Sequence, residues 1–111
     1  MLAKTTFTGT LVKDPELKQI GETQVCNFTV AKNKKYKEKQ ETCLMDCVAW
    51  GKPAEIIAQY MKKGEYHEFS CEIKQQAWDD KATGAKRSKI VFNVTEFDFG
   101  RNPKKEETPF N

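Results

Sequence analysis

Polar and apolar residues alternate along three early segments of the chain, as they do in strands that bury one face. The segments cover residues 5–12, 25–32 and 42–50. A Lys-Asp-Pro-Glu sequence at 13–16 predicts a turn, and a Gly-Glu-Thr sequence at 21–23 predicts a bend before the second strand. The chain is therefore expected to start as β-structure.

The period of the pattern changes after the third strand. Pro53 begins a stretch with four apolar residues on one helical face, and Gly64 stands where a left-handed C-cap would end a helix. The four apolar residues are Ile56, Ile57, Tyr60 and Met61. Two further strands are predicted at 66–78 and 88–97, joined by a polar hairpin loop.

The predicted order, three strands, a helix and two strands, is that of the OB-fold. This fold is an all-β, five-stranded, partly open Greek-key barrel with one short α-helix between strands 3 and 4. A chain of 111 residues is long enough for one such domain and too short for two. We expect the domain to cover residues 1–99 and a short polar C-terminal tail to cover residues 100–111.

The N-terminal residues lack the apolar core of a signal peptide, and apolar runs such as 47–50 are too short to span a membrane. We therefore expect a cytoplasmic protein that has no membrane partner. Four cysteines, none in a Cys-x-x-Cys pair, lie in apolar segments, which is typical of reduced core thiols. They are Cys26, Cys43, Cys47 and Cys71.

A zinc site formed by Cys43, Cys47, Cys71 and His67 is a conceivable alternative. Cys43 and Cys47 would be roughly 13 Å apart on a straight strand, too far to share one metal. We therefore predict no metal site and no cofactor. His67 is the one histidine in the sequence, no nucleophile is spaced to use it as a base, and no catalytic motif is present, so we expect no enzymatic activity.

Positive charge is concentrated in two segments, although the net charge of the chain is only +3. Residues 32–39 contain five lysines around Tyr36, and residues 74–89 contain five basic side chains. An aromatic ring among lysines suits a polymer with exposed base faces and an adjacent charged backbone, which is single-stranded nucleic acid. The alternative is a solvated hairpin loop.

Strand phase separates the side chains of the third strand into two faces. Cys43, Met45, Cys47 and Ala49 are predicted to face the core, and Leu44, Asp46, Val48 and Trp50 to face outward. In the fourth strand Phe69, Cys71 and Ile73 are predicted inward, and Lys74, Gln76 and Trp78 outward. A cation, an amide and an indole on one face favour base stacking, whereas either tryptophan could instead be a core or subunit contact.

Four blocks of sequence resemble the bacterial and bacteriophage single-stranded-DNA-binding proteins. They lie at residues 9–17, 27–31, 48–55 and 60–64, and the resemblance extends over residues 5–99. It implies an OB-fold, no enzymatic activity, and a homo-oligomer, usually a tetramer, around which the DNA wraps. It also implies a role in DNA replication, recombination and repair in the cytoplasm of a bacterial cell or a phage-infected host.

The family's stacking aromatics correspond to Tyr36, Trp50 and Trp78, the rings already indicated by charge and strand phase. A further family aromatic corresponds to Leu44, which can pack against a base but cannot stack. Asp46 stands where the resemblance implies a basic or amide residue, and Gln76 where an arginine is common. Both departures reduce the positive charge of the face.

The sequence thus predicts sequence-nonspecific binding and protection of single-stranded DNA. The predicted DNA-binding residues are Lys32, Lys34, Lys35, Tyr36, Lys37, Leu44, Val48, Trp50, Lys52, Lys74, Gln76, Trp78, Lys86 and Arg87. Pro109 and Phe110 resemble the family's acidic, Pro-Phe-ended tip that recruits replication and recombination proteins. The alternatives are an OB-fold RNA-binding or primosome-type accessory protein, and an interaction module whose aromatics contact a protein.

Overall fold

The computed structural model describes residues 3–99, which contain six strands and one helix. The elements are β1 (Lys4–Leu11), β2 (Glu16–Ile20), β3 (Thr23–Tyr36), β4 (Lys39–Trp50), α1 (Lys52–Tyr60), β5 (Tyr66–Asp79) and β6 (Lys86–Phe99). No helix within this part of the chain is long and apolar enough to cross a membrane.

Five of these strands close into a barrel in the order β1, β5, β6, β4, β3. The β4–β6 pairing is parallel, and the other neighbours are antiparallel. The barrel closes where Thr10 and Leu11 of β1 pair with Ala31 and Val30 of β3. Because α1 lies between the third and fourth barrel strands, the predicted OB-fold is confirmed.

Gly9 makes this closure possible. A Cβ atom at position 9 would lie 2.8 Å from the carbonyl oxygen of Ala31 and would collide with a methyl group of Val30. The backbones of β1 and β3 can therefore approach each other only because residue 9 has no side chain.

The strand β2 was not predicted from the sequence. It pairs with Thr23–Asn27 of β3 through the tight turn at Gly21, whose φ is 61°. All five residues of β2 are exposed, so the segment lacks the alternation of buried and exposed positions that identifies a strand. It adds an edge to the barrel beside β3.

The helix is shorter than predicted. It ends at Tyr60, and Met61 is already extended while its amide donates to the carbonyl oxygen of Ile57 at 3.0 Å. Gly64 is not the helix cap. It lies in the next turn, where its amide donates to the carbonyl oxygen of Leu11 at 2.8 Å. The buried face comprises Ala54, Ile57 and Met61, and Tyr60 is exposed, contrary to the predicted face.

The core of the barrel combines residues from all of the predicted strands and from α1. Its buried members are Leu11, Cys26, Phe28, Val30, Met45, Cys47, Ala49, Ala54, Ile57, Met61, Phe69, Cys71 and Val94. His67 is also buried, and its Nε2 lies 2.9 Å from Oε1 of Glu65.

Three of the four cysteines are core residues, as predicted, and the prediction for Cys43 is wrong. Cys26, Cys47 and Cys71 are buried, whereas Cys43 is exposed because β4 extends beyond the end of the core at this point. Burial, together with the nearby Glu16 carboxylate, raises the pKa of Cys26 to about 11. A hydrogen bond with Cys71 and burial raise the pKa of Cys47, so both thiols stay protonated and unreactive at neutral pH.

Candidate nucleic-acid interface

The outer face of β4 presents the side chains that the alternation predicted. Leu44 is 64% exposed and Trp50 47% exposed, while the intervening Met45, Cys47 and Ala49 are buried. Trp50 stays accessible because Gly51, with a φ of 72°, turns the chain into α1 immediately after it. The face therefore ends in an accessible indole.

Val48 lies on this outer face but is covered. Only 9% of its surface is exposed, because Val25 of β3 and Val91 of β6 pack against it. The three valines form a small apolar cluster separate from the barrel core. Val48 is thus part of the floor of the face and not a projecting contact.

A groove of about 160 Å³ lies over this floor. Trp50, Asp46, Gln76 and Lys89 are among its lining side chains. A neighbouring cavity of about 240 Å³ shares Asp46 and Lys89 with it and continues toward Lys13. The outer face therefore holds a continuous shallow track with both polar and stacking groups.

Seven of the ten lining residues are absent from the predicted set: Ile20, Val25, Asn27, Asp46, Cys47, Lys89 and Val91. Lys89 could have been predicted from the sequence. It lies two residues after Arg87 and two before Val91, so the strand period places it on the same face as both. Ile20 could not have been predicted, because it belongs to the unpredicted strand β2.

The β5–β6 hairpin carries the second indole. Trp78 lies opposite Arg87, and Gln76 lies opposite Lys89, so these four side chains share one face of the ribbon. Trp78 is 46% exposed. Lys86, opposite Asp79, lies on the other face of the hairpin from Trp78.

The turn of this hairpin is held by the Asp80 carboxylate. It accepts hydrogen bonds from the amides of Ala82 at 2.8 Å and Thr83 at 3.3 Å, and from Nε of Arg87 at 3.0 Å. These bonds, the one from Ala82 foremost, lower the pKa of Asp80 below its usual range. The same carboxylate holds Arg87 across from Trp78.

The lysine-rich segment is mostly β-strand, whereas the strands predicted from the sequence stopped at residue 32 and resumed at residue 42. β3 continues to Tyr36 and β4 begins at Lys39, so Lys37 and Glu38 alone form the turn. Pairing register places Lys35 on the Leu44–Trp50 face and places Lys32, Lys34 and Tyr36 on the opposite face. The ring of Tyr36 is 64% exposed.

Residues 2–100 match the model of the Single-strand binding protein family. The chain belongs to this family. Single-stranded DNA-binding protein 2 of Clostridium acetobutylicum is 37% identical, over 96% of this chain and 85% of its own length. Single-stranded DNA-binding protein 1 of Synechocystis is 38% identical, over 83% and 78%, and the Single-stranded DNA-binding protein of Borreliella burgdorferi is 35% identical, over 86% and 70%.

Lys32 contacts two neighbouring strands. Its Nζ donates to Oγ1 of Thr8 at 2.8 Å and to the hydroxyl of Tyr66 at 3.2 Å. The hydrogen bond with Thr8 and then that from Lys32 lower the pKa of Tyr66. Lys32 therefore ties the base of the lysine hairpin to β1 and β5.

Three further lysines of the predicted DNA-binding set, Lys37, Lys52 and Lys74, are exposed near the outer face of the barrel. The Lys37 ammonium lies 5.6 Å from the centre of the Tyr36 ring, next to the hairpin turn. Lys52 is the first residue of α1, two positions after Trp50. Lys74 lies opposite Val91, at the end of the valine floor.

Proposed function

We propose that the protein binds and protects single-stranded DNA, with little dependence on base sequence, during replication, recombination or repair. The supporting observation is a pair of half-exposed indoles, Trp50 and Trp78, linked along one face by Gln76 and Lys89. Bases stack on such rings whatever their identity, because every base has a π-face.

Phosphate binding in this proposal falls to the cations beside the rings. Lys34, Lys35 and Lys37 bind phosphates along the β3–β4 hairpin, and Lys74 and Arg87 bind them along the β5–β6 hairpin. Lys32, Lys52 and Lys86 contribute at the margins, since Lys32 is already bonded to Thr8 and Tyr66 and Lys86 lies away from Trp78. Tyr36 supplies a third stacking ring, on the face of the lysine hairpin opposite to Leu44, and Leu44 with Val48 supplies apolar support.

The test is titration of intrinsic tryptophan fluorescence with oligo-dT, oligo-rU and duplex DNA of equal length. We expect strong quenching by oligo-dT and at least about tenfold weaker binding to duplex, whose stacked bases cannot reach the indoles. The log of the binding constant should fall with log salt at about −0.7 per phosphate contacted.

Other results would contradict the proposal. Emission that stays constant at saturating oligo-dT would rule out stacking, and equal affinity for duplex would indicate attraction by charge alone. Tighter binding to oligo-rU than to oligo-dT would favour the RNA-binding alternative.

We further propose that the chain works as a homo-oligomer, with four subunits, in the cytoplasm of a bacterial or phage-infected cell. The reason is the family resemblance, and light scattering of the purified protein tests the subunit number. A mass of one subunit at micromolar concentration would contradict this assembly.

We retain a partner-recruiting role for Pro109 and Phe110 as a proposal; both lie outside the described residues. Deleting residues 106–111 should leave DNA affinity intact and abolish binding to a replication or recombination protein. An unchanged interaction in a pull-down experiment would contradict it.

A further inference from the structure

The groove over the valine floor contains an acidic side chain on a surface otherwise suited to an anionic polymer. Asp46 lines both the groove and the neighbouring cavity. Its Oδ1 accepts a hydrogen bond from Oγ1 of Thr29 at 3.1 Å. None of the ion pairs found within residues 3–99 involves Asp46, although Lys89 lines the same groove.

The position of Asp46 suits a base better than a phosphate. A carboxylate repels phosphate, but it accepts hydrogen bonds from the amino groups of bases. Along β4, Asp46 and Trp50 lie on either side of Val48, each roughly 7 Å from it at strand spacing. A base lying over Val48 is therefore within reach of both side chains.

The size of the groove fits this occupant. Its volume of about 160 Å³ is close to the roughly 150 Å³ of an apolar cavity known to admit one benzene ring. Val48 and Val91 form an apolar floor for the face of the ring, and Gln76 and Lys89 stand on the side of β5 and β6. One base can lie flat in the groove with its edge toward polar groups.

These polar groups differ in what they can distinguish. Lys89 only donates, and it can donate to the carbonyl oxygen that cytosine and uracil share. Gln76 both donates and accepts, so it can pair with either base. The Asp46 carboxylate only accepts, and it therefore favours the amino group of cytosine over the carbonyl oxygen at the same position of uracil.

We propose that Asp46 makes this groove a subsite for bases with an exocyclic amino group, so that cytosine binds in preference to uracil or thymine. The proposal rests on the proposed function, because it assigns a base preference to the same single-stranded DNA site. The preference is superimposed on binding through stacking and phosphate contacts, which accept every base.

The test compares the affinities of oligo-dC and oligo-dU, which differ only at the 4-position and the N3 proton. At neutral pH and fixed salt the wild-type protein should bind oligo-dC about tenfold more tightly, the effect of one charge-assisted hydrogen bond. Asp46→Asn should bring the ratio of the two affinities close to one. The affinity for oligo-dU should rise in this variant, because a negative charge is removed, whereas oligo-dC also loses its hydrogen bond to the carboxylate, so the ratio is the readout.

Glu68→Gln is the matched control. It removes the same charge from an exposed residue on β5 that faces a cleft with Glu96 and Asp98, away from the groove. The control should keep the wild-type ratio. A wild-type ratio near one, a preference that persists in Asp46→Asn, or a preference lost equally in Glu68→Gln would each overturn the inference.

Failure of this inference is distinguishable from failure of the proposed function. Tight binding of oligo-dC and oligo-dU with equal affinity would overturn the Asp46 subsite and leave single-stranded DNA binding in place. Binding of neither oligonucleotide would overturn both. The wild-type ratio needs no variant, so the test stands even if a substitution harms folding.

Discussion

Two hairpins extend from the barrel, and they are ordered in different ways. The β5–β6 hairpin is fixed at its tip by the Asp80 carboxylate, which accepts three hydrogen bonds, and at its base by Val91 in the valine floor. The β3–β4 hairpin has every side chain from 32 to 44 exposed, and its turn places the non-glycine residue Lys37 at a φ of 57°.

The difference teaches how one interface can combine two kinds of contact. A stacking ring needs a fixed orientation, and Trp78 is on the hairpin whose tip is held by side-chain bonds. Phosphate attraction needs charge but little geometry, and the lysines are concentrated on the hairpin without buried support. We therefore expect the β5–β6 hairpin to contribute to affinity through stacking. The β3–β4 hairpin should contribute through salt-dependent attraction.

The largest expected effect is loss of stacking on the ordered hairpin. Trp78→Ala should weaken oligo-dT binding by about 1–3 kcal/mol, and Tyr36→Ala on the lysine hairpin should cost less, because its ring is less firmly oriented. Trp50→Ala should fall between them. Equilibrium titration measures the affinities, and Trp78→Phe is the control that keeps an aromatic face.

Circular dichroism must show that each variant is folded before lost affinity is attributed to stacking. An equal or larger loss for Tyr36→Ala than for Trp78→Ala would reverse the assignment of roles to the two hairpins.

Removing charge from the lysine hairpin should change the salt dependence most. Replacing Lys34, Lys35 and Lys37 together by glutamine should reduce the slope of log affinity against log salt by about 2, if each contacts one phosphate. The control replaces Lys62 and Lys63, which lie between α1 and β5 and outside both hairpins, and should leave the slope near its wild-type value. An unchanged slope in the first variant would show that the hairpin is only a solvated surface.

Asp80→Ala should loosen the ordered hairpin and lower the thermal midpoint of unfolding, since it removes three hydrogen bonds at the turn. The pKa of Asp80 is lowered in the folded state, so this stabilisation is complete above the usual carboxyl pKa of about 3.9 and is lost as the pH falls through the folded-state value. The difference in midpoint between wild type and variant should therefore shrink in acid.

Asp79→Ala is the matched control, because it removes the same charge from the neighbouring residue. Thermal unfolding at neutral and acid pH measures both variants. A difference that is the same at all pH values would show that the Asp80 charge does not hold the turn.

The smallest expected effect concerns the turn of the lysine hairpin. Lys37→Gly should stabilise the fold by about 0.5 kcal/mol, because the relief of left-handed strain slightly exceeds the entropic cost of glycine. Lys35→Gly, in the neighbouring strand, should instead destabilise by about 0.5–1 kcal/mol. Urea unfolding measures both, and a loss of stability in Lys37→Gly would contradict the strained turn.

The sequence predicted the parts of the molecule that local pattern determines. Alternation along β4 correctly separated buried Met45 and Cys47 from exposed Leu44 and Trp50. The OB-fold followed from the order of elements, because a helix between the third and fourth barrel strands is a feature of the chain itself.

Features that depend on neighbouring strands were not predictable in this way. Val48 is covered by Val25 and Val91, which lie on other strands, and no local pattern reveals that contact. The lysines of 32–36 have low strand propensity, and pairing with β4 is what extends β3 through them. Ile20 enters the groove only because the unpredicted strand β2 pairs with β3.

The half-exposed indoles beside the valine floor also have a thermal consequence. When bases cover Trp50 and Trp78, water leaves apolar surface, and the heat capacity of the system falls. Contacts between lysine and phosphate respond instead to salt through the release of counterions. Temperature and ionic strength should therefore act on different parts of this surface, and a plot of binding enthalpy against temperature should have a negative slope contributed by the indoles.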